Sequence, residues 1–291
     1  MNFNPSSAPV RIPQNKPARE SARALLALPV ARRFDIARLR PAELPPNQRF
    51  ETEADARARR DTELERFEGI GGLTEVANRL FWCEDESPCA EVYCPICGRR
   101  FRRRLIGQAL GHQCGLDLQV LTVALELVPT EMLVNCDVVV AKRRVAQRIR
   151  RAAPSAEFVL GGIEADYRQG DETFLLHAHL LVSRLPRDEL EALRFAFADI
   201  GITRAVKVQE LRDPATQISY LLKFPTFHRP APQNGPRRPR AIQLPDAALK
   251  QLTLWRARHG FFDFVFMMGL RRSGGDLARI DKQKTWAAWV E

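Results

Sequence analysis

The sequence predicts an α+β protein: an antiparallel sheet with flanking helices, preceded by a small cysteine-rich module and followed by a short, mainly helical C-terminal region. Three observations carry this. Between residues 118 and 224, apolar strand-like runs alternate with amphipathic helical stretches. Two of those runs, 156–167 and 171–183, meet at Gly170-Asp171, a two-residue hairpin signal. Cys83, Cys89, Cys94 and Cys97 fall within 15 residues shortly before the first strand.

Residues 1–78 read as a proline-rich, partly disordered arm with short helices. Pro5, Pro9, Pro13 and Pro17 recur every four residues, followed by Pro29, Pro41, Pro45 and Pro46. A short helix is expected over 19–28. A longer, mostly polar one covers 51–67, and Gly69, Gly71 and Gly72 break it. A third, over 73–82, leads into the cysteines.

Residues 79–115 form the cysteine-rich module. Cys94-Pro-Ile-Cys97-Gly is a knuckle half-site: two thiolates at this spacing, with a turn between them, bite one tetrahedral ion such as Zn²⁺. Cys83 and Cys89 complete the set, with His112 or Cys114 as alternates for one of them. Four protein ligands leave no open position, so the site reads as structural. Cys136 stands apart and receives no role. The N-terminus, Met1-Asn-Phe-Asn-Pro-Ser-Ser, lacks the basic start and apolar core of a signal peptide. No apolar run approaches the roughly 18–20 residues needed to span a bilayer. A cytoplasmic protein with no membrane partner is therefore expected, in which cysteines serve as metal ligands or thiols rather than disulfides.

Directly after the knuckle come Arg99, Arg100, Arg102, Arg103 and Arg104, five arginines in six residues. With a net charge of +10, this run reads as a contact to nucleic-acid phosphates. A second basic series, Lys142, Arg143, Arg144, Arg148, Arg150 and Arg151, lies on the next helix. Val138, Val139, Val145 and Ile149 would pack that helix on the sheet.

Residues 116–228 hold the sheet. The expected order is strand 118–127, helix 135–152, strands 156–167 and 171–183, helix 187–199, strand 203–210 and helix 213–224. Within 171–183, His177 and His179 are two apart and so face the same way. If Gly170-Asp171 is the turn, Gln169 faces Glu172, and Glu164 lies directly opposite His177 with His179 on the diagonal. Asp166 shares that face. One carboxylate and two imidazoles, with room for water, suit a divalent ion such as Mg²⁺ or Mn²⁺. A one-residue slip would turn Glu164 away. Asp213-Pro-Ala-Thr starts a helix with an Asp N-cap and Pro at the first position. On that helix Tyr220 and Lys223 would share a face, and a cation beside a phenol favours the phenolate nucleophile.

Together these residues resemble the HUH endonuclease superfamily. His177-Ala-His179 matches its histidine–hydrophobic–histidine motif, and Tyr220-x-x-Lys223 the tyrosine motif that follows. Leu118–Leu125 is similar to its first, strand-forming motif. Cys89-x4-Cys94-Pro-x-Cys97-x-Arg99-Arg100 is similar to a cysteine cluster upstream of that strand in one group of rolling-circle plasmid replication initiators. The resemblance covers roughly residues 80 to 228. It implies site-specific nicking and joining of single-stranded or origin DNA, with Glu164, His177 and His179 as metal ligands. Tyr220 would be the nucleophile giving a 5′-phosphotyrosine, and Lys223 its helper. A host helicase is a further partner of such initiators. Oligomeric state has no signal in the sequence. One departure stands out: the initiator group with this cluster carries an acid four residues before the tyrosine, and here that residue is Thr216. A transposase or relaxase, or a non-catalytic zinc-containing DNA-binding protein, are the alternatives.

Residues 229–291 read as a Pro/Arg-rich linker and a helical C-terminal appendage. A helix is expected over 246–259, then the apolar run Phe261–Met268 as core, a partner-binding patch or a stacking platform for bases, then a helical tail with Trp286 and Trp289.

Overall fold

The computed structural model of the chain, described over residues 16–27, 34–45, 49–113, 117–228, 241–273 and 276–280, is built around a five-stranded antiparallel sheet. Four helices come first: α1 (Lys16–Ala27), α2 (Ile36–Leu39), α3 (Glu53–Gly69) and α4 (Thr74–Phe81). α1, α2 and α3 pack on a fifth, α5 (Pro95–Gln113), and α4 packs on α3. The long polar helix expected over 51–67 is α3. Thr52 starts it with a capping box, its side chain accepting from the Asp55 N–H and the Asp55 side chain accepting from the Thr52 N–H. The helix is not wholly solvated, because Ala56, Glu63 and Phe67 are buried along one side. Leu25, Ile36, Phe67, Leu73 and Leu80 lie in the same continuous core as the sheet residues.

Strand β1 (Leu118–Pro129) follows, then a 3-10 turn and α6 (Val138–Ala152), which Asp137 caps. The hairpin β2 (Val159–Arg168) and β3 (Thr173–Ser183) comes next, then α7 (Arg187–Ala196), β4 (Val206–Glu210) and α8 (Pro214–Ser219). Beyond these lie a short ladder of β5 (Phe227–His228) and β6 (Ile242–Gln243), and helix α9 (Asp246–Ala257). The chain continues through α10 (Phe261–Phe264), β7 (Val265–Met268), and the pair β8 (Leu270–Ser273) and β9 (Asp276–Arg279). The strand order of the main sheet is β4-β1-β3-β2-β7.

The C-terminal region is less helical than its sequence suggests. The apolar run Phe261–Met268 divides into one helical turn and a strand, β7, which pairs with β2 along its open edge. Val265 and Phe266 are almost fully buried there. Each such side chain contributes roughly 1.5–3 kcal/mol by leaving water, which favours pairing over helix continuation. The run is core, as one reading of the sequence had it.

The hairpin register is the one the turn position predicts. Glu164 pairs with His177, Ile163 with Ala178 and Gly162 with His179. The turn is wider than two residues, since Arg168–Thr173 is the last pair, and Glu172 takes the positive φ of 48°. On the other side, β1 pairs with β3 with a bulge between Ala124 and Glu126, next to the His177 position. No helix among the described residues is long and apolar enough to cross a membrane. Cys114, Pro5, Pro9 and Pro13, most of the linker after His228, and the tail with Trp286 and Trp289 lie outside the described residues.

Candidate functional site

Two clusters gather the chemistry. The first is the cysteine module: the sulfurs of Cys83, Cys89, Cys94 and Cys97 all lie within 4.8 Å of one another. The closest Sγ pairs are Cys94–Cys83 at 3.5 Å, Cys83–Cys97 at 3.6 Å and Cys89–Cys97 at 3.7 Å. A tetrahedron with metal–sulfur bonds of about 2.3 Å has edges of about 3.8 Å, so the spacing fits one central ion. The Cys97 N–H points at the Cys94 sulfur and the Cys89 N–H at Cys83, which orients the lone pairs inward. Hydrogen bonds from the other three thiols pull the Cys83 thiol down. The same crowding pushes Cys89 up, and burial pushes Cys94 up. His112, an alternate ligand from sequence, is not drawn in; its Nε2 meets the Leu277 carbonyl oxygen at 2.9 Å.

The second cluster is Glu164, His177 and His179, whose ligand atoms also lie within 4.8 Å of one another. His177 Nε2 and His179 Nε2 face each other at 3.0 Å. The outer nitrogens are occupied: His177 Nδ1 meets the Leu175 carbonyl oxygen at 3.3 Å, and His179 Nδ1 meets Thr122 Oγ1 at 3.0 Å. Partners of this kind hold the imidazoles so that both Nε2 lone pairs point at one spot. Two facing lone pairs repel unless a proton or a cation lies between them. Burial, with the neighbouring charges of His177, Lys207 and Lys223, lowers His179 to about 3, so the ring is neutral and can offer a nitrogen lone pair to a cation. Glu164 is buried, and its Oε1 accepts the Lys223 backbone N–H at 2.8 Å, leaving Oε2 for an ion. Asp166 stands beside them, with Oδ2 at 3.7 Å from His177 Nε2. The donor set fits a divalent cation.

Burial, and then the nearby Asp166 charge, raises Glu164 to about 8. An incoming dication needs the carboxylate, so below that value it must displace a proton. Affinity for a divalent ion is therefore expected to fall about tenfold per pH unit on going down from 8 towards 6. Mn²⁺ titrations followed by electron paramagnetic resonance at pH 6, 7 and 8 measure this. A flat profile would mean Glu164 is not a ligand.

The tyrosine lies on different local structure from that expected. The helix predicted over 213–224 ends at Ser219, and Tyr220 is its cap. Leu222 then adopts a positive φ of 55°, and the Lys223 N–H turns to Glu164 instead of continuing the helix. Leu222 is pressed against the sheet at Gly162, where an added Cβ would come within 2.0 Å of Leu222 Cδ2. Tyr220 and Lys223 still meet, but by this turn: the Lys223 ammonium sits 3.5 Å from the centre of the Tyr220 ring, on its face. Tyr220 is 45 % exposed.

The arginines of α5 depart further from expectation. Arg99 and Arg102 are buried, where an outward row facing phosphates was expected. Arg99 donates to the Glu51 carbonyl oxygen at 2.8 Å, and Arg102 to the Ser219 carbonyl oxygen at 2.8 Å. Arg100 pairs with Asp85 and Arg103 with Asp35, while Arg104 reaches the Arg100 carbonyl oxygen. The reason is that α5 is enclosed by α1, α2, α3 and α8, so side chains on several of its faces meet protein. Arg40 adds a second hold on the same spot, its Nη1 donating to Ser219 Oγ at 2.8 Å. Sequence reasoning missed this clamp, because nothing local links Arg40 and Arg102 to residue 219.

A cleft of about 930 Å³ runs over this region. Glu164, His179, Tyr220 and Lys223 line it, as do Lys207 of β4 and Arg40, Arg49 and Arg59 of the N-terminal segment. A substrate in the cleft would thus meet the carboxylate–histidine cluster and the exposed phenol together. A scan against protein-family models found no match, and neither did searches of curated proteins and of solved structures.

Proposed function

We propose that the chain is a metal-dependent, site-specific nickase and joining enzyme for single-stranded DNA, of the rolling-circle initiator kind. The observation that carries this reading is one cleft lined both by an exposed tyrosine, Tyr220, and by Glu164 and His179, two members of the carboxylate–two-histidine cluster whose third member, His177, is buried beside them. Mg²⁺ or Mn²⁺ held by Glu164, His177 and His179 would supply positive charge to polarise and orient the scissile phosphate. Tyr220 Oη attacks the phosphorus in line. A phosphotyrosine bond to the 5′ side forms as the bond to the 3′ oxygen breaks. The phenol proton goes to solvent and the freed 3′ oxygen gains one. Lys223, whose ammonium lies on the tyrosine ring, holds that ring in place and would offer positive charge beside the reacting phosphate. The Arg40–Ser219–Arg102 clamp fixes the segment from which Tyr220 projects. The four cysteines would hold Zn²⁺ as a structural ion.

Termination by an acid four residues before the tyrosine is not open to this chain. Thr216 occupies that place, and the nearby Asp213 is engaged in capping α8 through the Thr216 N–H. A transposase- or relaxase-type use of the same chemistry therefore remains the closest neighbour of this reading.

Metal dependence tests it. Purified protein is mixed with labelled single-stranded oligonucleotide pools, with Mn²⁺ or with EDTA, and protein–DNA adducts are sought on denaturing gels. The expected result is an adduct that needs Mn²⁺ and falls by about 100-fold or more in His177→Ala. DNA binding unaffected by EDTA or by His177→Ala, with no adduct in any condition, would support the non-catalytic binder instead.

A further inference from the structure

We infer that Phe227 is the platform on which one unpaired base of the DNA strand stacks in the cleft. This rests on the single-stranded DNA reading above and deepens it, by naming a residue that receives a base rather than a phosphate. The sequence points to the aromatic run Phe261–Met268 for such a platform, but Phe261, Phe262, Phe264 and Phe266 are buried. Among the described residues, the large apolar side chains that both stand exposed and line the cleft are Tyr220 and Phe227. Tyr220 is the proposed nucleophile. Phe227, 40 % exposed, has only the face of its ring to offer.

A single exposed phenylalanine on a protein surface is ordinary. Two features set this one apart. The first is that the segment carrying it is pinned. Leu222 docks on Gly162, and the Lys223 N–H on Glu164. Arg256 Nη2 donates to the Pro225 carbonyl oxygen at 2.8 Å, and Thr226 Oγ1 donates to Glu63 Oε1 at 2.6 Å. His228 is buried, its ring edge-on to Tyr167 of β2 with 5.4 Å between centroids. Successive residues of a strand point to opposite sides, so the inward His228 of β5 turns its neighbour Phe227 outward. The ring is presented by a fixed backbone, and a contact arranged in advance loses little entropy on binding. Tyr220 and Phe227 stand at the two ends of this pinned segment. A base held on Phe227 therefore limits which phosphate can reach Tyr220.

The second feature is the charge of the neighbouring wall. Glu63, which Thr226 holds, lies 3.8 Å from Arg59, and Arg59 pairs with Glu51 at 3.0 Å. Arg49 pairs with Asp55 at 2.8 Å. The cations on this side of the cleft are thus largely neutralised within the protein, which suits an uncharged base better than a phosphate. Stacking uses the π-face that every base has, so this contact is indifferent to which base occupies it.

The test reads binding in EDTA, so that no cutting intervenes. The tightest-binding oligonucleotide of a single-stranded pool is titrated by fluorescence anisotropy, and then again with an abasic site at each position in turn. For wild type, one position is expected at which loss of the base costs about tenfold in affinity, while exchange among the bases costs less than about threefold. Phe227→Leu keeps apolar bulk but loses the flat face. It is expected to bind the intact oligonucleotide about tenfold more weakly, with no further loss on the abasic one. Phe227→Trp is expected to stay within about threefold of wild type. 2-Aminopurine at the sensitive position is expected to be quenched by wild type and not by Phe227→Leu. Phe195→Leu, which alters an exposed ring of α7 that does not line the cleft, is the control expected to bind as wild type does. A Phe227→Leu protein that binds like wild type, or that loses the same factor on intact and abasic oligonucleotides, would overturn the inference. The nicking reading would stand, because adduct formation tests it separately. A wild-type protein that binds no single-stranded oligonucleotide overturns both.

Discussion

Tyr220→Phe is expected to abolish the covalent adduct, lowering its rate of formation by about 10⁴-fold or more, while single-stranded DNA binding stays near wild type. That factor corresponds to about 5.5 kcal/mol of lost transition-state stabilisation, at about 1.4 kcal/mol per tenfold. The substitution removes one oxygen. It keeps the ring on which the Lys223 ammonium rests, so the turn should hold its shape. The choice of nucleophile is a narrow one, since the chain has three tyrosines and all three line the cleft. Tyr93 is buried, and burial pushes its phenol well above the usual range, which makes it a poor source of phenolate. Tyr167 is 9 % exposed and also pushed up by burial, with its ring edge-on to His228. Only Tyr220 offers an open face, at 45 % exposure. Tyr167→Phe is therefore expected to leave adduct formation within about threefold of wild type. An adduct that survives Tyr220→Phe and disappears in Tyr167→Phe would keep the chemistry and move the nucleophile to β2.

What the sequence made legible follows the range of the interactions. The register of the β2–β3 hairpin is local, set by the turn at 169–172 and by the two-residue period of the strands, so Glu164 and His177 could be paired before any fold was known. The four cysteines are equally local, lying within 15 residues. The features that escaped depend on contacts distant in sequence. The edge strand β7 is an apolar run whose composition suits helix or strand equally, and the partner that settles it is β2, about a hundred residues earlier. The arginines after the knuckle look like a phosphate-binding row only while the helices around α5 are out of sight. Arg102 spends its charge on a carbonyl 117 residues away, and α3 and α2 close the remaining sides. The tyrosine helix shows the same limit. Its start was readable from Asp213 and Pro214, but its end is imposed by Leu222 docking at Gly162 and by Glu164 capturing the Lys223 N–H.

Removing the ion from the cysteine cluster is expected to lower the melting temperature by about 10–20 °C and to disable the distant tyrosine as well. Structural zinc contributes about 10–16 kcal/mol of binding free energy in isolated finger peptides. Here the surrounding helices share the load, so a net loss of about 5 kcal/mol is the scale, and each kcal/mol moves the midpoint by about 2–4 °C in a chain of this size. The loss is large because the metal-free state is crowded. Cys83, Cys94 and Cys97 are buried, with the Cys83 sulfur 3.5 Å from that of Cys94 and 3.6 Å from that of Cys97, close enough for thiolates to repel and too far apart for a disulfide, and without an ion the thiols can only share protons. The coupling to Tyr220 runs through α5. Cys97 sits in the first turn of that helix and Arg102 a little over one turn later, and Arg102 together with Arg40 grips Ser219, the residue before Tyr220. A helix that loosens at its start loosens that grip. Cys97→Ser should thus show both effects, a lower melting midpoint by calorimetry and at least a tenfold slower adduct formation at a temperature where the protein remains folded. Zinc content by atomic absorption should fall from near one ion per chain in parallel. A Cys97→Ser protein that melts like wild type and keeps its bound zinc would mean that the cluster is a set of packed free thiols and that α5 needs no ion to hold Ser219.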